Sequence, residues 1–467
     1  MTPQGIKNIY LIAICGTGMA SLAGLLKEAG FNVSGSDSNI YPPMSTLLAD
    51  QGIEVKPGYR AENIPRTVDL VVIGNAVSKT NPEVQAVLAA GLSYTSFPDA
   101  LARFFLAGRK SLVVAGTHGK TTTTALLSWV LHAMGRQPGF MVGGWLKNFD
   151  LNYRVPKDDY FVTEGDEYDT AFFDKEAKFL HYRPYGAILT GVEFDHADIF
   201  KDLDHIKGAF RKFVELLPEE GCLLVKFKDP HATDVLQAVR CPVETYGLDP
   251  GADWRGENYR FASGEGRFDL VHLGRVQGEV RLPMIGRHNG ENAVAVAALA
   301  IRLGLPAGEV CRAFEGFKGI RRRQDVVGEK NGVTVIDDFA HHPTAIDLTI
   351  EAVKEAFPES RVWAVFEPRS ATSRRNVFQA AFPASFRRAD RVVMAGLFAP
   401  DGIAPADRLD PERVVRDICA AGGRADYIPD VEAIVDFIAA NRQDRDVVLV
   451  MSSGGFGGIH QKILDRL

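Results

Sequence analysis

The sequence predicts an α/β protein of three domains with mostly parallel sheets. Short apolar runs alternate with helical patterns along the whole chain, which is the order that βαβ units produce. A chain of 467 residues is too long for one hydrophobic core and suggests about three domains. Glycine-rich turns or acidic residues follow most of the apolar runs, as they do where parallel strands end at a ligand.

The first apolar run, residues 9–14, is typical of a buried strand and leads into a glycine-rich turn. That turn contains Gly16, Thr17 and Gly18, and a helical pattern follows it. The arrangement resembles a dinucleotide-type nucleotide-binding turn, with Ser21 where the third glycine would stand. An ordinary βαβ turn would leave a similar pattern and stays open as the alternative.

Two further strands of the first segment end at polar residues. A second strand pattern ends at Asp37, about as far along the chain as a ribose-binding acid would be. A later one, residues 70–73, is followed by Asn75, which is either a ligand-facing residue or a turn residue. We therefore predict a Rossmann-like domain over residues 1–108.

The apolar run at residues 112–115 ends in a glycine-rich loop that runs through Lys120 and Thr121 into a helical pattern at residues 125–134. A strand, loop and helix N-terminus in this order bind phosphate through backbone N–H groups and the helix dipole. Lys120 would reach the outer phosphates, and the Thr121 hydroxyl would bind Mg²⁺. Val114 replaces the usual first glycine, so the loop is short, and an ordinary turn is the alternative. The predicted nucleotide-binding residues are Gly116, Thr117, His118, Gly119, Lys120, Thr121 and Thr122.

Acidic residues follow two more strand patterns of the central segment. Glu164 follows residues 160–163, and the sequence EFDHAD, which includes His196, follows residues 187–190. Because parallel strands end at one edge of a sheet, both groups are expected near the phosphate loop. Glu164 and His196 are predicted partners of phosphate-bound Mg²⁺, although this ion prefers oxygen ligands. A solvated loop charge is the alternative for either residue.

The end of the central segment holds candidates for the nucleotide base and the transferred phosphate. Asn289 precedes a helical pattern at residues 293–303, and it or Asn292 could bind adenine. Asn289 as a helix N-cap is the alternative. One arginine of the basic run at residues 321–323 could reach transferring phosphate, unless the run is simply solvated. The run marks the end of a predicted P-loop ATP-binding domain over residues 109–324.

Strands and helices alternate again after this run, predicting a Rossmann-like C-terminal domain over residues 325–467. Its first strand pattern, residues 333–336, ends at two aspartates. Its last, residues 447–451, runs into a glycine-rich loop whose N–H groups could meet an anion such as a carboxylate. A flexible turn near the C-terminus is the alternative.

Composition excludes several classes of protein. The apolar and charged fractions are ordinary for a globular chain, and a net charge of −6 favours neither nucleic acid nor a membrane surface as partner. Five cysteines lie far apart with no Cys-x-x-Cys pair, which indicates reduced thiols and a cytoplasmic protein. No apolar run is long enough to span a membrane, and a glycine-rich turn interrupts the first one, which superficially resembles a signal peptide.

The phosphate loop AGTHGKTTT, residues 115–123, resembles the ATP loop of the Mur ligases, which join amino acids or peptides to UDP-N-acetylmuramate. Further blocks match this family in order. They are Glu164, EFDHAD at residues 193–198, GRHN at 286–289 and DDFAHHP at 337–343. The resemblance covers essentially the whole chain.

Four stretches resemble the branch of the family that joins UDP-N-acetylmuramate to the murein tripeptide L-alanyl-γ-D-glutamyl-meso-diaminopimelate. They are residues 41–48, 167–175, 366–370 and 454–460. The branch that adds free L-alanine shares the ATP and UDP blocks and is the alternative. A nicotinamide-dependent UDP-sugar oxidoreductase is an alternative of another class, although it leaves the phosphate loop and two domains unexplained. A sensor that holds ATP without turnover is a third.

The resemblance implies ATP and two Mg²⁺ ions as cofactors, an acyl-phosphate intermediate, and a role in recycling the cell wall. It implies that the catalytic residues are Lys120, Glu164, His196 and Arg323. The metal ligands would be Thr121, Glu164 and His196. Asn289 would contact adenine, Arg323 phosphate and Asp338 the ATP ribose.

The resemblance also implies where the two other substrates bind. The predicted UDP-binding residues are Gly16, Thr17, Gly18, Asp37 and Asn75. The predicted peptide-binding residues are Arg369, Gly454 and Gly455.

The sequence departs from several Mur ligases at one position. Those enzymes carry a lysine whose CO₂ adduct, a carbamate, is a ligand of the second Mg²⁺. The matching position here is Phe210 or Arg211, and neither can form a carbamate. Lys207 and Lys212 point about 40° or more away on a helix. We therefore predict that Glu164, His196, water and substrate oxygens bind that ion without a modified lysine.

Overall fold

The computed structural model describes residues 5–197 and 199–467, in three large sheets and one two-stranded hairpin. Each large sheet has a buried hydrophobic cluster on either face, under helices. The predicted α/β class with mostly parallel sheets is confirmed. The predicted domain limits at residues 108 and 324 fall between the sheets and stay predictions. Among the described residues, no helix is both long and apolar enough to cross a membrane.

The first sheet is fully parallel and has the strand order β3-β2-β1-β4-β5. Its strands are β1 Asn8–Ile12, β2 Asn32–Asp37, β3 Glu54–Pro57, β4 Leu70–Ile73 and β5 Tyr94–Ser96. The helices are α1 Thr17–Glu28, α2 Met44–Asp50, α3 Pro82–Ala90 and α4 Phe97–Leu101. In this Rossmann-like order the connections leave β1 in opposite directions, so a crevice opens beside the carboxyl ends of β1 and β4.

The central sheet has ten strands in the order β17-β16-β15-β14-β13-β12-β6-β9-β7-β8. The strands are β6 Lys110–Ala115, β7 Gly139–Leu146, β8 Leu151–Arg154, β9 Tyr160–Gly165, β12 Pro184–Leu189, β13 Cys222–Lys226, β14 Val243–Gly247, β15 Trp254–Ala262, β16 Glu265–His272 and β17 Arg275–Leu282, with a separate hairpin of β10 Asp169–Ala171 and β11 Asp174–Ala177. The helices are α5 Lys120–Ala133, α6 Leu203–Val214, α7 Pro230–Thr233, α8 Arg287–Arg302 and α9 Ala307–Ala313. Strand β6 lies between β12 and β9, so the phosphate loop is central.

The third sheet has the order β18-β19-β23-β20-β21-β22 and is parallel except for β18. Its strands are β18 Asp325–Lys330, β19 Val333–Asp338, β20 Val362–Phe366, β21 Arg391–Met394, β22 Ala425–Tyr427 and β23 Val447–Met451. The helices are α10 Pro343–Ala356, α11 Phe382–Ser385, α12 Pro411–Ala420, α13 Val431–Asn441 and α14 Ile459–Arg466. The two aspartates predicted to follow the first strand, Asp337 and Asp338, are the last two residues of β19.

Two helices begin earlier than their apolar patterns indicate. Helix α5 starts at Lys120, because the threonines of its first turns, residues 121–124, are buried beside the sheet. Their polar side chains hide this part of the helix from an apolar pattern. Helix α8 starts at Arg287, with Gly286 at φ +92° as its N-cap. The alternative interpretation of Asn289 as an N-cap is therefore wrong.

The first segment is fastened to the central one on two sides. Helix α1 packs against β8, where Gly24 faces the buried ring of Tyr153 and Asn152 donates a hydrogen bond of 2.8 Å to Ser21. On the other side, Phe172 of the β10–β11 hairpin packs against the apolar cluster of the first sheet. These contacts fix the crevice of the first sheet relative to the phosphate loop.

The close contact at Gly24 predicts a loss of stability on enlargement. A Cβ there would overlap the Tyr153 ring, so Gly24→Ala should lower the free energy of unfolding by about 1–3 kcal/mol through overpacking. Gly208 of α6 is the matched control, because a Cβ there meets no atom within 4 Å. Gly208→Ala should raise stability by up to about 1 kcal/mol through helix propensity. Urea unfolding measures both, and equal stabilisation by the two changes would contradict the packing argument.

Candidate active site

A cavity of about 540 Å³ opens where the three segments meet. It is bounded by the start of α1, by the phosphate loop and neighbouring strand ends, and by the loop after β19. The predicted site residues that line it are Thr17, Gly18, Thr117, His118, Gly119, Lys120, Thr121, Thr122, Glu164, His196, Asn289, Arg323 and Asp338. Most of the predicted site is thus brought together in one cavity.

The phosphate loop is held tightly against the end of β12. Gly116 has φ +129°, and a Cβ there would lie 2.8 Å from the Gly191 oxygen. The Thr190 hydroxyl donates to the carbonyl of His118 at 2.5 Å, which draws the loop over the sheet. No side chain caps α5, and its first intrahelical bond runs from Thr123 N–H to Gly119 O at 2.9 Å. The first N–H groups of α5 therefore have no intrahelical partner and are available to an anion.

Lys120 is buried in an ion pair that the sequence analysis did not predict. Its Nζ donates to Gly116 O at 2.7 Å and to Glu167 Oε2 at 2.9 Å. Burial alone would lower the pKa of Lys120, but the charges of Glu167 and Asp166 outweigh it and raise that pKa. Glu167 lies three residues after Glu164 on the same strand end, and this spacing was the available signal.

Thr121, Glu164 and Arg323 converge beside the phosphate loop. The Thr121 hydroxyl donates to Glu164 Oε2 at 3.0 Å, and Arg323 Nη2 donates to the same hydroxyl at 3.1 Å. Gly143 N–H donates to Glu164 Oε1 at 2.5 Å. Burial and the charge of Asp166 raise the pKa of Glu164 despite these donors. A hydroxyl and a carboxylate this close are a donor set that fits a hard cation such as Mg²⁺.

His196 reaches the cavity with different partners from Glu164. Its Nε2 lies 3.6 Å from Glu167 Oε1, and its ring centre lies 5.0 Å from that of Tyr168. Its backbone N–H donates to Asp195 at 2.7 Å, within the EFDHAD sequence. Asp198 of that sequence lies outside the described residues. Glu167 therefore connects His196 to Lys120.

The predicted adenosine-binding residues form one hydrogen-bonded group across the second and third segments. The Asn289 amide donates to Ile285 O at 2.8 Å and to Gln324 Oε1 at 2.9 Å. Asp338 accepts from the backbone N–H of Gln324 at 2.8 Å and of Ala340 at 2.7 Å. Burial raises the pKa of Asp338, although the charge of Arg323 opposes it. Gln324 is a cavity residue that its sequence context did not reveal.

Three predicted UDP-binding residues, Gly16, Asp37 and Asn75, do not line this cavity. Buried Asp37 accepts hydrogen bonds of 2.9 Å from the N–H groups of Cys15 and Asn39, which shape the loop after β1. Asn75 donates to the Asp169 carbonyl and so connects the first sheet to the β10–β11 hairpin. Both side chains hold loops at the crevice of the first sheet.

The predicted peptide-binding residues form a cluster at the carboxyl ends of β20 and β23. The Arg369 guanidinium lies 3.6 Å from the ring centre of Phe398, and a Cβ at Gly454 would overlap the arginine. Gly454 O accepts from Arg322 at 2.6 Å, which ties the glycine loop to the junction between segments. Gly455 beside it is exposed. A side chain at position 454 would therefore displace the Arg369 guanidinium group.

A second polar contact joins the third segment to the phosphate loop. Glu193 Oε2 accepts from the Thr344 hydroxyl at 2.7 Å and lies 3.4 Å from His118 Nε2. His342 donates to Phe194 O at 3.3 Å, while its Nδ1 accepts from Thr344 N–H at 3.2 Å and caps α10. The side chains of His118, Glu193 and His342 lie close enough for a metal ion, but Glu193 Oε2 already accepts from Thr344 and His118, and His342 Nδ1 already accepts from Thr344 N–H. The cluster is thus a hydrogen-bonded contact between segments.

Lys207 and Lys212 of α6 both form ion pairs away from the cavity. Lys207 contacts Asp234 at 2.7 Å, and Lys212 contacts Glu176 at 2.8 Å. Phe210, one of the two candidate positions of the missing lysine, is fully buried. Neither ammonium group lines the cavity, and the unmodified site stays a prediction.

Three family models match consecutive parts of this chain. They are the Mur ligase family catalytic domain at residues 8–109, the Mur ligase middle domain at 114–300 and the Mur ligase glutamate ligase domain at 322–454. A protein of Haemophilus influenzae, UDP-N-acetylmuramate–L-alanyl-γ-D-glutamyl-meso-2,6-diaminoheptandioate ligase, is 40% identical, and the match covers 99% of each chain. UDP-N-acetylmuramate–L-alanine ligase of Rubrobacter xylanophilus is 34% identical, with 98% of this chain and 100% of the relative covered. The crystal structure of a murein peptide ligase from Psychrobacter arcticus is similar at 35% identity and a TM-score of 0.74, covering 98% of each chain.

The contact at His342 predicts a specific pH dependence of stability. Burial, together with the charge of His118, lowers the pKa of His342 from 6.5 to about 4. Between these values the unfolded chain binds a proton that the folded chain does not, so stability must fall as the pH is lowered from 7 to 4. His342→Asn keeps a good helix cap and removes the titration, so this fall should be smaller. Urea unfolding at several pH values measures it, and an identical fall in both proteins would contradict the argument.

Proposed function

Because the chain belongs to the Mur ligase family, we propose that it joins UDP-N-acetylmuramate to the tripeptide L-alanyl-γ-D-glutamyl-meso-diaminopimelate. Members of this family are ATP-dependent, ADP-forming amide ligases. The observation that carries the proposal is that the phosphate loop, the first nucleotide-type loop and the strand ends of the third segment all open into one cavity. The 40% identity to a tripeptide ligase, against 34% to an L-alanine ligase, supports the peptide as the amine substrate.

The proposed reaction has two steps. The lactyl carboxylate of UDP-N-acetylmuramate attacks the γ-phosphorus of ATP, which breaks the bond to the β-phosphate oxygen and gives an acyl phosphate and ADP. The L-alanyl amine of the tripeptide then attacks the acyl carbon and loses a proton, and inorganic phosphate leaves. The product is an amide, and the second step requires that water be kept from the acyl phosphate.

The chain supplies positive groups where negative charge moves between oxygens. We assign Lys120 and the N–H groups at the start of α5 to the ATP phosphates, with Arg323 at the transferring phosphate. Lys120 would exchange its contact with Glu167 for phosphate oxygens. Charge-assisted hydrogen bonds between the ammonium group and the phosphate would favour this exchange. Arg323 already reaches the Thr121 hydroxyl, so it needs little movement to contact a phosphate there.

The same site has donors for divalent metal. We assign Thr121, Glu164 and His196 as the residues that would hold two Mg²⁺ ions, together with water and substrate oxygens. Bound Mg²⁺ would neutralise phosphate charge during transfer. The separation of 3.0 Å between the Thr121 and Glu164 oxygens supports this donor set.

The remaining assignments follow the predicted substrate blocks. Asn289 is assigned to adenine and Asp338 to the ribose of ATP, since both line the cavity on its second and third segments. The loops that hold Gly16, Thr17, Gly18, Asp37 and Asn75 are assigned to UDP, and Arg369, Gly454 and Gly455 to the peptide. The five cysteines form no disulfide, which fits the cytoplasmic location that we propose.

Product formation tests the proposal directly. Incubation with ATP, Mg²⁺, UDP-N-acetylmuramate and tripeptide should release phosphate and form a nucleotide-linked tripeptide, detected by mass spectrometry. Turnover with the tripeptide should exceed turnover with L-alanine, because the third segment offers the guanidinium group of Arg369, beside the Gly454 loop, for a distal carboxylate. Faster turnover with L-alanine would contradict the proposal and indicate a UDP-N-acetylmuramate–L-alanine ligase instead. Phosphate release without a joined product would leave only an ATP-hydrolysing protein.

Loss of Lys120 should abolish most of the activity. Lys120→Ala removes the buried ammonium group from the phosphate loop, and turnover should fall by at least about a hundredfold, the scale of losing one main electrostatic group. Lys212→Ala is the matched control, because that lysine pairs with Glu176 outside the cavity and its loss should leave turnover close to that of the parent. Near-normal turnover of Lys120→Ala in saturating ATP would refute the assignment.

Replacement of Arg323 by lysine should lower turnover more than it disturbs folding. Arginine can form two parallel hydrogen bonds to phosphate, which lysine cannot, so kcat should fall by about tenfold or more while Tm stays close to that of the parent. Arg321→Lys serves as control, because Arg321 is 58% exposed and contacts Asp150 at 3.3 Å. Equal kcat values for the two variants would place Arg323 in the solvated basic run.

A further inference from the structure

Lys178 differs from the buried lysines Lys120 and Lys207 in the partners of its ammonium group. It begins the turn that follows β11, its side chain is only 10% exposed, and it lines the cavity. Lys207, also 10% exposed, and Lys120, 13% exposed, bond to carboxylates at 2.7 and 2.9 Å. A buried ammonium group needs such partners because its desolvation is costly.

Among the described residues, none accepts a hydrogen bond from the Lys178 ammonium group. The one carboxylate oxygen within 4 Å, Asp166 Oδ2, lies 3.6 Å away, which is beyond hydrogen-bond length. The Tyr168 ring centre lies 4.0 Å from Nζ and that of Phe97 lies 5.5 Å away. Burial lowers the pKa of Lys178, although the charge of Asp166 opposes this. Among the described residues, the Lys178 ammonium group therefore has an ionic contact with Asp166 but no acceptor at hydrogen-bond distance.

The position of Lys178 indicates what meets its N–H donors. Phe97, on one side of the ammonium group, belongs to the first segment and lies against Gly18, where a Cβ would be 3.3 Å from its ring. Gly18 is in the first turn of α1, a helix of twelve residues with no side-chain cap. The positive N-terminal end of α1 and the Lys178 ammonium group thus line the same wall of the cavity.

We propose that Lys178 binds an anionic oxygen of the nucleotide-sugar substrate, where that substrate passes from the first segment to the phosphate loop. This inference rests on the proposed function for the identity of the substrate. Two groups of UDP-N-acetylmuramate have the required chemistry, the diphosphate and the lactyl carboxylate. Either one supplies the acceptors that Lys178 lacks, and so Lys178 is a substrate-binding residue beyond the blocks that the family resemblance assigns.

Calorimetric titration without turnover tests the proposal. Lys178→Met keeps the apolar stem and removes the charge, so the Kd for UDP-N-acetylmuramate should rise about 10- to 100-fold, the range for a hydrogen bond to a charged group. The Kd for ATP should stay unchanged. Lys178→Arg should recover part of the affinity. Lys175→Met is the matched control on the same hairpin, because Lys175 is 69% exposed and pairs with Asp169 at 2.7 Å.

UDP-N-acetylglucosamine, which has the diphosphate but no lactyl carboxylate, distinguishes the two sources. Equal weakening of both nucleotides in Lys178→Met assigns Lys178 to the diphosphate, and weakening of UDP-N-acetylmuramate alone assigns it to the carboxylate. Parent-like affinity of a folded Lys178→Met for both nucleotides would overturn the inference. Absence of binding to the parent protein would instead overturn the proposed function.

Lysine labelling of the unaltered protein gives a second test that does not depend on folding of a variant. Acetylation by acetic anhydride, followed by peptide mass mapping, should show that UDP-N-acetylmuramate protects Lys178 but not Lys175. The same extent of acetylation at Lys178 with and without the nucleotide would overturn the inference.

Discussion

The ion pair between Lys120 and Glu167 is the interaction on which the arrangement of the cavity depends. Glu167 is 3% exposed, and a carboxylate buried to this degree needs charged or hydrogen-bonding partners. It finds Lys120 on one oxygen and His196 on the other, at 2.9 and 3.6 Å. The loops after β6, β9 and β12 are thereby drawn together at one edge of the central sheet. A nucleotide that takes Lys120 from Glu167 leaves this carboxylate to His196, so phosphate binding is coupled to the predicted metal site.

The two outer segments are joined to this centre by different kinds of contact. The first segment is attached by close apolar packing, in which Gly24 meets Tyr153 and Phe172 enters the apolar cluster of the first sheet. The third segment is attached at the cavity by polar contacts, among them Thr344 with Glu193 and Arg323 with Thr121. Polar contacts exchange with water more readily than packed rings do. We therefore expect the third segment, rather than the first, to be the part that opens for substrates.

Parallel strands explain how much of this could be predicted from the sequence. Their carboxyl ends share one edge, so apolar runs followed by Lys120, Glu164 and His196 were enough to predict that these residues line one cavity. The partners of these residues were harder to predict, because Glu167 lies in an acidic stretch in which several residues have the same local pattern. Lys178 gave no signal, since its place depends on the β10–β11 hairpin and on a ring from another segment. Contacts between segments have no local periodicity and so leave no trace in a single sequence.

The first segment also shows why a nucleotide-type turn alone does not define a reaction. Its strand order and its Asp37 suit a dinucleotide, and a nicotinamide enzyme was a consistent alternative on those residues. In the structure, however, Asp37 holds the loop after β1 through the N–H groups of Cys15 and Asn39. The start of α1 lines the same cavity as Lys178 and the phosphate loop, so we expect a ligand bound on the first sheet to face that loop. The same Rossmann-like crevice thus serves ligation because of what the second segment places at its exit.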